Sequence, residues 1–225
     1  MAKEKEDQLL DIEGTVNKTE EFVEKNKKIL TGAGIVILAA VAGFFGYQNF
    51  VVKPQEENAR KEMFMAEKYF EMDSLNLALN GDGNFPGFLT IIEDYGASNS
   101  GNLAKFYAGV CYLKQGDFDN AISQLKAYKA KDDITGAIAY GNIGDAYAEQ
   151  DNFSEAISYY KKAVDYNDNG FSVPIYLMKQ ATMLEIQGDY SGAKEVYEEI
   201  KKKYPTSTEG RSVDQDISRV SALAQ

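Results

Sequence analysis

Residues 141–164 read GNIGDAYAEQDNFSEAISYYKKAV. Within this stretch Gly144, Tyr147, Phe153, Ala156, Tyr160 and Ala163 stand at spacings of 3, 6, 3, 4 and 3. Steps of three and four put side chains on one face of an α-helix. The step of six crosses the polar run AEQDN, which suits a tight turn. The spacing therefore predicts a helix, a turn and a second helix. Gly144 and Ala156 fall on opposing helices, and both are small enough to let two backbones approach closely. Tyr147, Phe153 and Tyr160 would fill the space around that contact.

The same marks recur on either side. Upstream stand Gly109, Tyr112, Gly116-Asp117-Phe118, Ala121 and Leu125; downstream stand Ala181, Leu184, Gly188-Asp189-Tyr190, Ala193, Tyr197 and Pro205. The alanines at 121, 156 and 193 are 35 and 37 residues apart. A worn fourth copy is expected further upstream, with its turn at Gly83-Asn84-Phe85 and with Phe88 in place of the alanine, which would hold that helix pair further apart. This pattern closely resembles the tetratricopeptide repeat, a helix pair of about 34 residues with small residues where its two helices cross. The resemblance covers residues 102–207 well and 69–101 weakly. It departs at Asp151, where glycine is usual, and in a long loop before Pro174.

The resemblance implies an all-α superhelix of stacked hairpins, whose end units need covering because a single unit cannot bury its apolar face. Residues 208–225 are expected to form a C-terminal capping helix. Thr206 and Glu209 have capping-box spacing ahead of it, and Val213, Ile217, Val220 and Leu223 form an apolar stripe. At the other end a helix from Pro54 to Leu79 is expected to do the covering, with Met63, Phe64, Ala66, Tyr69, Phe70, Leu75 and Leu79 supplying the packing.

Before the repeats, Lys28 and Lys53 bracket ILTGAGIVILAAVAGFFGYQNFVV, 24 residues without a charge. At ~1.5 Å per residue a helix of that length covers the roughly 30 Å hydrocarbon core of a bilayer. Lys25, Lys27 and Lys28 on one side and Tyr47 and Lys53 on the other suit the two interfaces. A cleaved leader with Ala40-Val41-Ala42 as its site is the rival reading. It would need a long acidic n-region and would leave a mature chain starting in apolar sequence. A transmembrane helix over 29–52 is therefore expected. The denser lysines before it place residues 1–28 in the cytoplasm as a short tail of six Lys and eight Asp or Glu. Ala39/Gly43 and Ala42/Gly46 are spaced by four and form a candidate transmembrane packing face.

The expected organisation is thus a tail (1–28), a transmembrane helix (29–52), a linking helix with a degenerate repeat (53–101), three repeats (102–207) and the capping helix (208–225). Chemistry is hard to find in it. The chain has no His, and its net charge of −11 disfavours nucleic acid and anionic headgroups. Cys111, the single cysteine, falls inside a repeat helix and is expected to be buried and inert. Asp165, Asn167, Asn169 and Gly170 match the first positions of a calcium loop, but Tyr176 replaces its final carboxylate and Pro174 intrudes. No catalytic, metal or cofactor site is predicted.

What remains is binding. In tetratricopeptide arrays the first helices line a groove; the resemblance places Phe106, Val110, Leu113, Asn142, Asp145 and Met178 there as candidate partner-binding residues. Of the residues with which some family members clamp a terminal carboxylate, only Asn142 is present, so no such clamp is expected. Phe106, Val110 and Leu113 have a competing use, because the helix before them would pack on the same patch. The whole layout, together with YGASNSGNLAKFYAGVCYLKQGDFDNAI at 95–122, resembles the ancillary-subunit family of the bacterial Sec translocon. That resemblance implies a non-enzymatic inner-membrane protein facing the periplasm, with the translocation channel and periplasmic chaperones as partners. The alternative is a scaffold or assembly factor of another envelope or secretion complex.

Overall fold

The computed structural model describes residues 2–166 and 169–224, with side chains from Phe22 onward. The tail side chains Leu9, Leu10, Ile12 and Val16, and Asn167 of the tested calcium loop, lie outside the described residues. Contacts divide the chain into two compact units, Met1–Pro54 and Gln55–Gln225.

The first unit is a single helical rod. Helix α1 (Ala2–Tyr47) runs into one π-helical turn, Gln48–Val52, before α2 (Lys53–Glu71) begins. Pro54 explains the widened turn. Its ring collides with the carbonyl four residues back in a regular α-helix, and bonds to the fifth residue back, such as Lys53 N–H to Gln48 O, open the backbone there. The apolar stretch is exposed along its length: Ile37 is 63% exposed and Phe50 85%. A buried core helix would show the reverse. The helix is long and apolar enough to cross a membrane. Ala39, Ala42 and Gly43 are exposed and Gly46 is half-buried, and a Cβ built on either glycine would meet nothing within 4 Å.

In the second unit, among the described residues, helices follow one another as hairpins: α2 with the short α3 (Leu75–Asn80) and α4 (Phe88–Tyr95), α5 (Asn99–Gln115) with α6 (Phe118–Ala127), α7 (Asp133–Glu149) with α8 (Phe153–Tyr166), and α9 (Val173–Ile186) with α10 (Tyr190–Lys203). Each hairpin turns by the same device. A residue at positive φ ends the first helix: Asp73 (55°), Gly116 (78°), Asp151 (57°) and Gly188 (79°). The amide after it reaches back five residues, Ser74 to Tyr69 O at 2.8 Å and Asp117 to Tyr112 O, Asn152 to Tyr147 O and Asp189 to Leu184 O at 2.9 Å. This left-handed closure satisfies carbonyls that a helix end would otherwise leave bare.

Around the four closures the small residues repeat at a fixed spacing: Ala66–Asp73–Ala78, Gly109–Gly116–Ala121, Gly144–Asp151–Ala156 and Ala181–Gly188–Ala193. All four alanines of the second helices are fully buried. The glycines leave no room for more. A Cβ on Gly109 would sit 2.5 Å from Leu125 Cγ, and one on Gly144 would sit 2.6 Å from the Tyr160 ring.

The first hairpin corrects the expected one. Its turn is at Asp73, not Gly83-Asn84-Phe85, and its small second-helix residue is Ala78, not the position of Phe88. The expected continuous helix to Leu79 also stops at Glu71. Residues 81–87 are an insert that splits the second helix into α3 and α4. Asp82 holds the insert in place, accepting from the amides of Asn84 (2.9 Å) and Phe85 (2.8 Å) and from the Tyr69 hydroxyl (2.7 Å). Phe88 is buried all the same, stacked on Tyr107 at 5.1 Å.

The C-terminal cap differs in detail too. Ser207, not Thr206, is its N-cap, accepting from Gly210 N–H at 2.9 Å. The cap is bent at Val213 into α11 (Thr208–Ser212) and α12 (Asp214–Leu223). Val213 and Val220 are fully buried against α9 and α10, Ile217 packs beside them, and Leu223 stays 52% exposed. At the other end, α2 joins the core through Met63 and Ala66, and its Glu56 accepts from Ser100 N–H (2.9 Å) and Ser100 Oγ (2.8 Å) at the start of α5. Burial alone would raise the Glu56 carboxyl, but those hydrogen bonds and Arg60 outweigh it and hold the carboxyl below its usual range.

Two substitutions test the shared geometry. Ala78→Leu should destabilise the protein by about 1–3 kcal/mol, matching Ala156→Leu, because both overpack a helix crossing. Equal tolerance of Ala78→Leu and a surface substitution in thermal unfolding would show that α2 and α3 are not a repeat hairpin. Asp151→Gly should raise stability by about 0.5–1 kcal/mol, since glycine adopts positive φ without strain.

Candidate functional site

The first helices of neighbouring hairpins present one face each. On α7, Ile134, Ile138, Asn142, Asp145 and Glu149 recur at near-helical spacing. On α9 the matching row runs through Ile175, Met178, Lys179 and Thr182. Lys179 Nζ reaches across to both Asp145 oxygens, at 2.6 and 2.7 Å, so the two rows are tied together.

Two clefts open along these rows. One, of about 680 Å³ near the hairpin turns, is lined by Leu113, Lys114, Asp145, Glu149, Lys179 and Met183 among others. The other, of about 690 Å³ at the opposite end of α7 and α9, is strongly apolar; Ile134, Ile138, Phe171 and Ile175 form its walls beside Asp132 and Asp133. Phe171 is 80% exposed and Ile134 64%. Asn169 shapes the loop under Phe171: its side-chain oxygen accepts from the amides of Phe171 (3.0 Å) and Ser172 (2.8 Å). The residues tested as a calcium loop thus include a side chain that caps the approach to α9.

The six expected partner-binding residues fall in different places. Leu113 and Asp145 line the same cleft. Phe106 and Leu113 pack against the cluster of Ile122, Leu125 and Ile143, with the Phe106 ring 5.4 Å from that of Tyr128. That cluster spans α6, α7 and α8, so both side chains contribute to internal packing. Tyr107 and Leu103, on another face of α5, meet the core that α2 joins. Val110 and Asn142 are half-buried, and Met178 packs beside Val173, Leu177 and Ala181. Ile134, Phe171, Ile175 and Met183 were not singled out from sequence. Ile134 carried a signal, four residues before Ile138 on the same face. Phe171 carried another, a large aromatic in a loop of Asn, Asp and Gly.

The ionisable groups here hold structure together. Asp145 accepts from Tyr160 Oη at 2.7 Å as well as from Lys179. Burial, and then the Asp145 charge, push the Tyr160 phenol far above its normal range and that of Tyr176 up to about 12. Tyr197 is likewise pushed up to about 12 by burial and by its bond to Glu185 (2.6 Å). Burial pushes the Cys111 thiol up to about 12, so it stays protonated and unreactive in the folded chain. The arrangement offers apolar clefts and fixed charges, without an activated nucleophile among the described side chains.

A row of helical hairpins with paired small crossings and exposed clefts on their first helices defines a helical-repeat binding protein. Tetratricopeptide-repeat family models match residues 103–133, 137–169 and 176–207, which are the hairpins α5–α6, α7–α8 and α9–α10. These three segments are similar to tetratricopeptide repeats, modules that typically act as non-catalytic scaffolds for protein–protein interaction. No curated protein matches the chain.

The tyrosines set the alkaline limit. A phenol raised in the folded state stays protonated there while the unfolded chain ionises near pH 10. Stability from Tyr176 and Tyr197 is therefore full below pH 10 and is lost as pH rises toward about 12. Thermal unfolding followed between pH 9 and 12 should show Tm falling above pH 10. Tyr197→Phe should flatten part of that fall.

Proposed function

We propose that this chain is a membrane-anchored scaffold whose tetratricopeptide array holds a partner protein beside the bilayer. The observation that carries the reading is the apolar cleft of about 690 Å³ between α7 and α9, with Phe171 and Ile134 left open to solvent. An exposed aromatic and aliphatic cluster on the groove side of a repeat array suits the anchor residue of a docking segment. The apolar helix of the first unit supports tethering, since it is long, apolar and exposed. Its flanking lysines favour a cytoplasmic N-terminus and an array on the far side, at the bacterial inner membrane facing the periplasm. Tail, span and four hairpins together favour the finer reading, an accessory subunit of the Sec translocon that contacts the channel and periplasmic chaperones. On that reading Ala39, Ala42, Gly43 and Gly46 form the face that packs on the channel, and Val110, Asn142 and Met178 extend the groove around the cleft.

Site-specific photo-crosslinkers separate these statements. A crosslinker at Phe171 should capture a discrete protein in cells, and Ile134→Asp should abolish that adduct; absence of any adduct removes the groove reading. Crosslinkers at Ile37 or Phe44 should capture the channel. Capture there of other membrane proteins alone would leave a scaffold of a different complex. For orientation, Ser123→Cys provides an exposed thiol while native Cys111 is buried. An impermeant maleimide should label it once the outer membrane is opened. Labelling only after lysis of the inner membrane would reverse the orientation.

A further inference from the structure

A third cleft lies away from the groove, where α6 and α8 flank α7. It holds about 480 Å³, and its walls include Lys126, Lys129 and Lys162 together with Tyr140, Tyr159 and Tyr166. In a chain of net charge −11 this is a concentration of positive charge. Elsewhere lysines meet carboxylates, as Lys179 meets Asp145 and Lys203 meets Glu199. Among the described residues, none of the three cleft lysines has an Asp or Glu within ion-pair distance.

Instead two of the three ammonium groups rest on tyrosines. Lys126 donates to Tyr147 Oη at 2.8 Å and stands 5.3 Å over the Tyr159 ring, and Lys162 stands 3.9 Å over the same ring. Two like charges drawn to one ring repel each other, and the π-faces offset only part of that repulsion. Asp132, whose charge is felt at Tyr128 in the cleft wall, is occupied by the amides of Ile134 and Thr135 and the Thr135 hydroxyl. The floor is aromatic: Tyr140 and Tyr166 meet edge to face at 5.6 Å, and Gly136 makes room for the second ring, since a Cβ there would lie 2.1 Å from it.

We propose that this cleft on the second-helix side is a docking site for an acidic peptide segment that carries an aromatic or aliphatic side chain between its carboxylates. The carboxylates would neutralise Lys129 and Lys162, and the apolar side chain would enter among the tyrosines. A peptide brings a few charges to within a Debye length of the lysines, about 8 Å at physiological salt, so the acidic remainder of the surface is screened from it. An anionic bilayer would meet that acidic surface over a wide area and be repelled, which favours a peptide over a membrane. This site is independent of the groove between α7 and α9, so either can fail alone.

The test uses the full-length chain in a neutral detergent and a rhodamine-labelled peptide alternating Glu and Phe, followed by fluorescence anisotropy. The peptide should bind, and affinity should fall as salt rises. The pair Lys129→Glu and Lys162→Glu should weaken binding about tenfold or more, while Lys202→Glu, an exposed charge on α10, should leave it unchanged. Lys126 is left in place because it holds Tyr147. The milder pair Lys129→Gln and Lys162→Gln, with an unaltered melting temperature, should give an intermediate loss. Equal binding of a Lys–Phe peptide, equal loss with Lys202→Glu, or no loss in the double variants would overturn the proposal. So would lysine-dependent binding to nanodiscs of phosphatidylglycerol with none to the peptide, which would make the cleft a lipid site.

Discussion

Everything in the second unit depends on how closely two helices can cross. Four times the chain places a small residue on each helix of a pair and a left-handed residue between them at the same spacing. The left-handed residue fixes the angle at which the second helix returns, and the small pair fixes how near it comes. Large side chains then pack around the crossing: Leu125 lies where a Gly109 side chain would be, and Tyr160 where one on Gly144 would be. Because interiors are close-packed, the constraint is sharp, and a single added carbon at either glycine has nowhere to go. Stacking follows, since each hairpin leaves an apolar side that the next one covers, until α11 and α12 cover the last.

That same constraint explains why three hairpins were legible in the sequence and the first was not. Gly116-Asp117-Phe118 and Gly188-Asp189-Tyr190 announce their turns, and the alanines after them mark the crossing. In the first hairpin an aspartate, Asp73, takes the left-handed position, so no glycine flags it. Its second helix is then split by residues 81–87, whose glycines imitate a hairpin turn. The true marks were present: Ala66, Tyr69, Asp73 and Ala78 repeat the spacing of Gly144, Tyr147, Asp151 and Ala156. Asp151 already showed that aspartate serves at this position. Aligning on the small crossing residues rather than on glycines would have found it.

The candidate site was less legible, for a physical reason. Repeat spacing says which face a residue occupies, but not whether the neighbouring hairpin fills the space above it. Phe106 and Leu113 lie on the expected face, but both are taken up in the cluster of Ile122, Leu125 and Ile143. Asp145 lies on the expected face, but its carboxylate is shared between Lys179 and Tyr160. The open apolar surface lies instead at the helix starts, where Ile134 and Ile175 meet a loop residue, Phe171, that no helical period describes. The lysine cleft was invisible for a similar reason. Its charges come from α6, the loop after it and α8, and only the fold brings them to one cleft.

The clefts share a property that bears on how such a chain would work. Each admits only a short segment, whereas a stable protein complex buries roughly 1,600 Å², so a single cleft would hold its segment weakly. A tether changes that requirement. If the apolar helix fixes the array to a membrane that also holds its partner, the second contact becomes effectively intramolecular, and local concentration replaces part of the contact energy. Two separate clefts on one rigid stack extend the same logic, because two weak segments of one partner would bind together more tightly than either alone. Rigidity is then the useful product of the tight crossings: it holds the clefts at a fixed separation, so that only a partner with matching spacing gains from both.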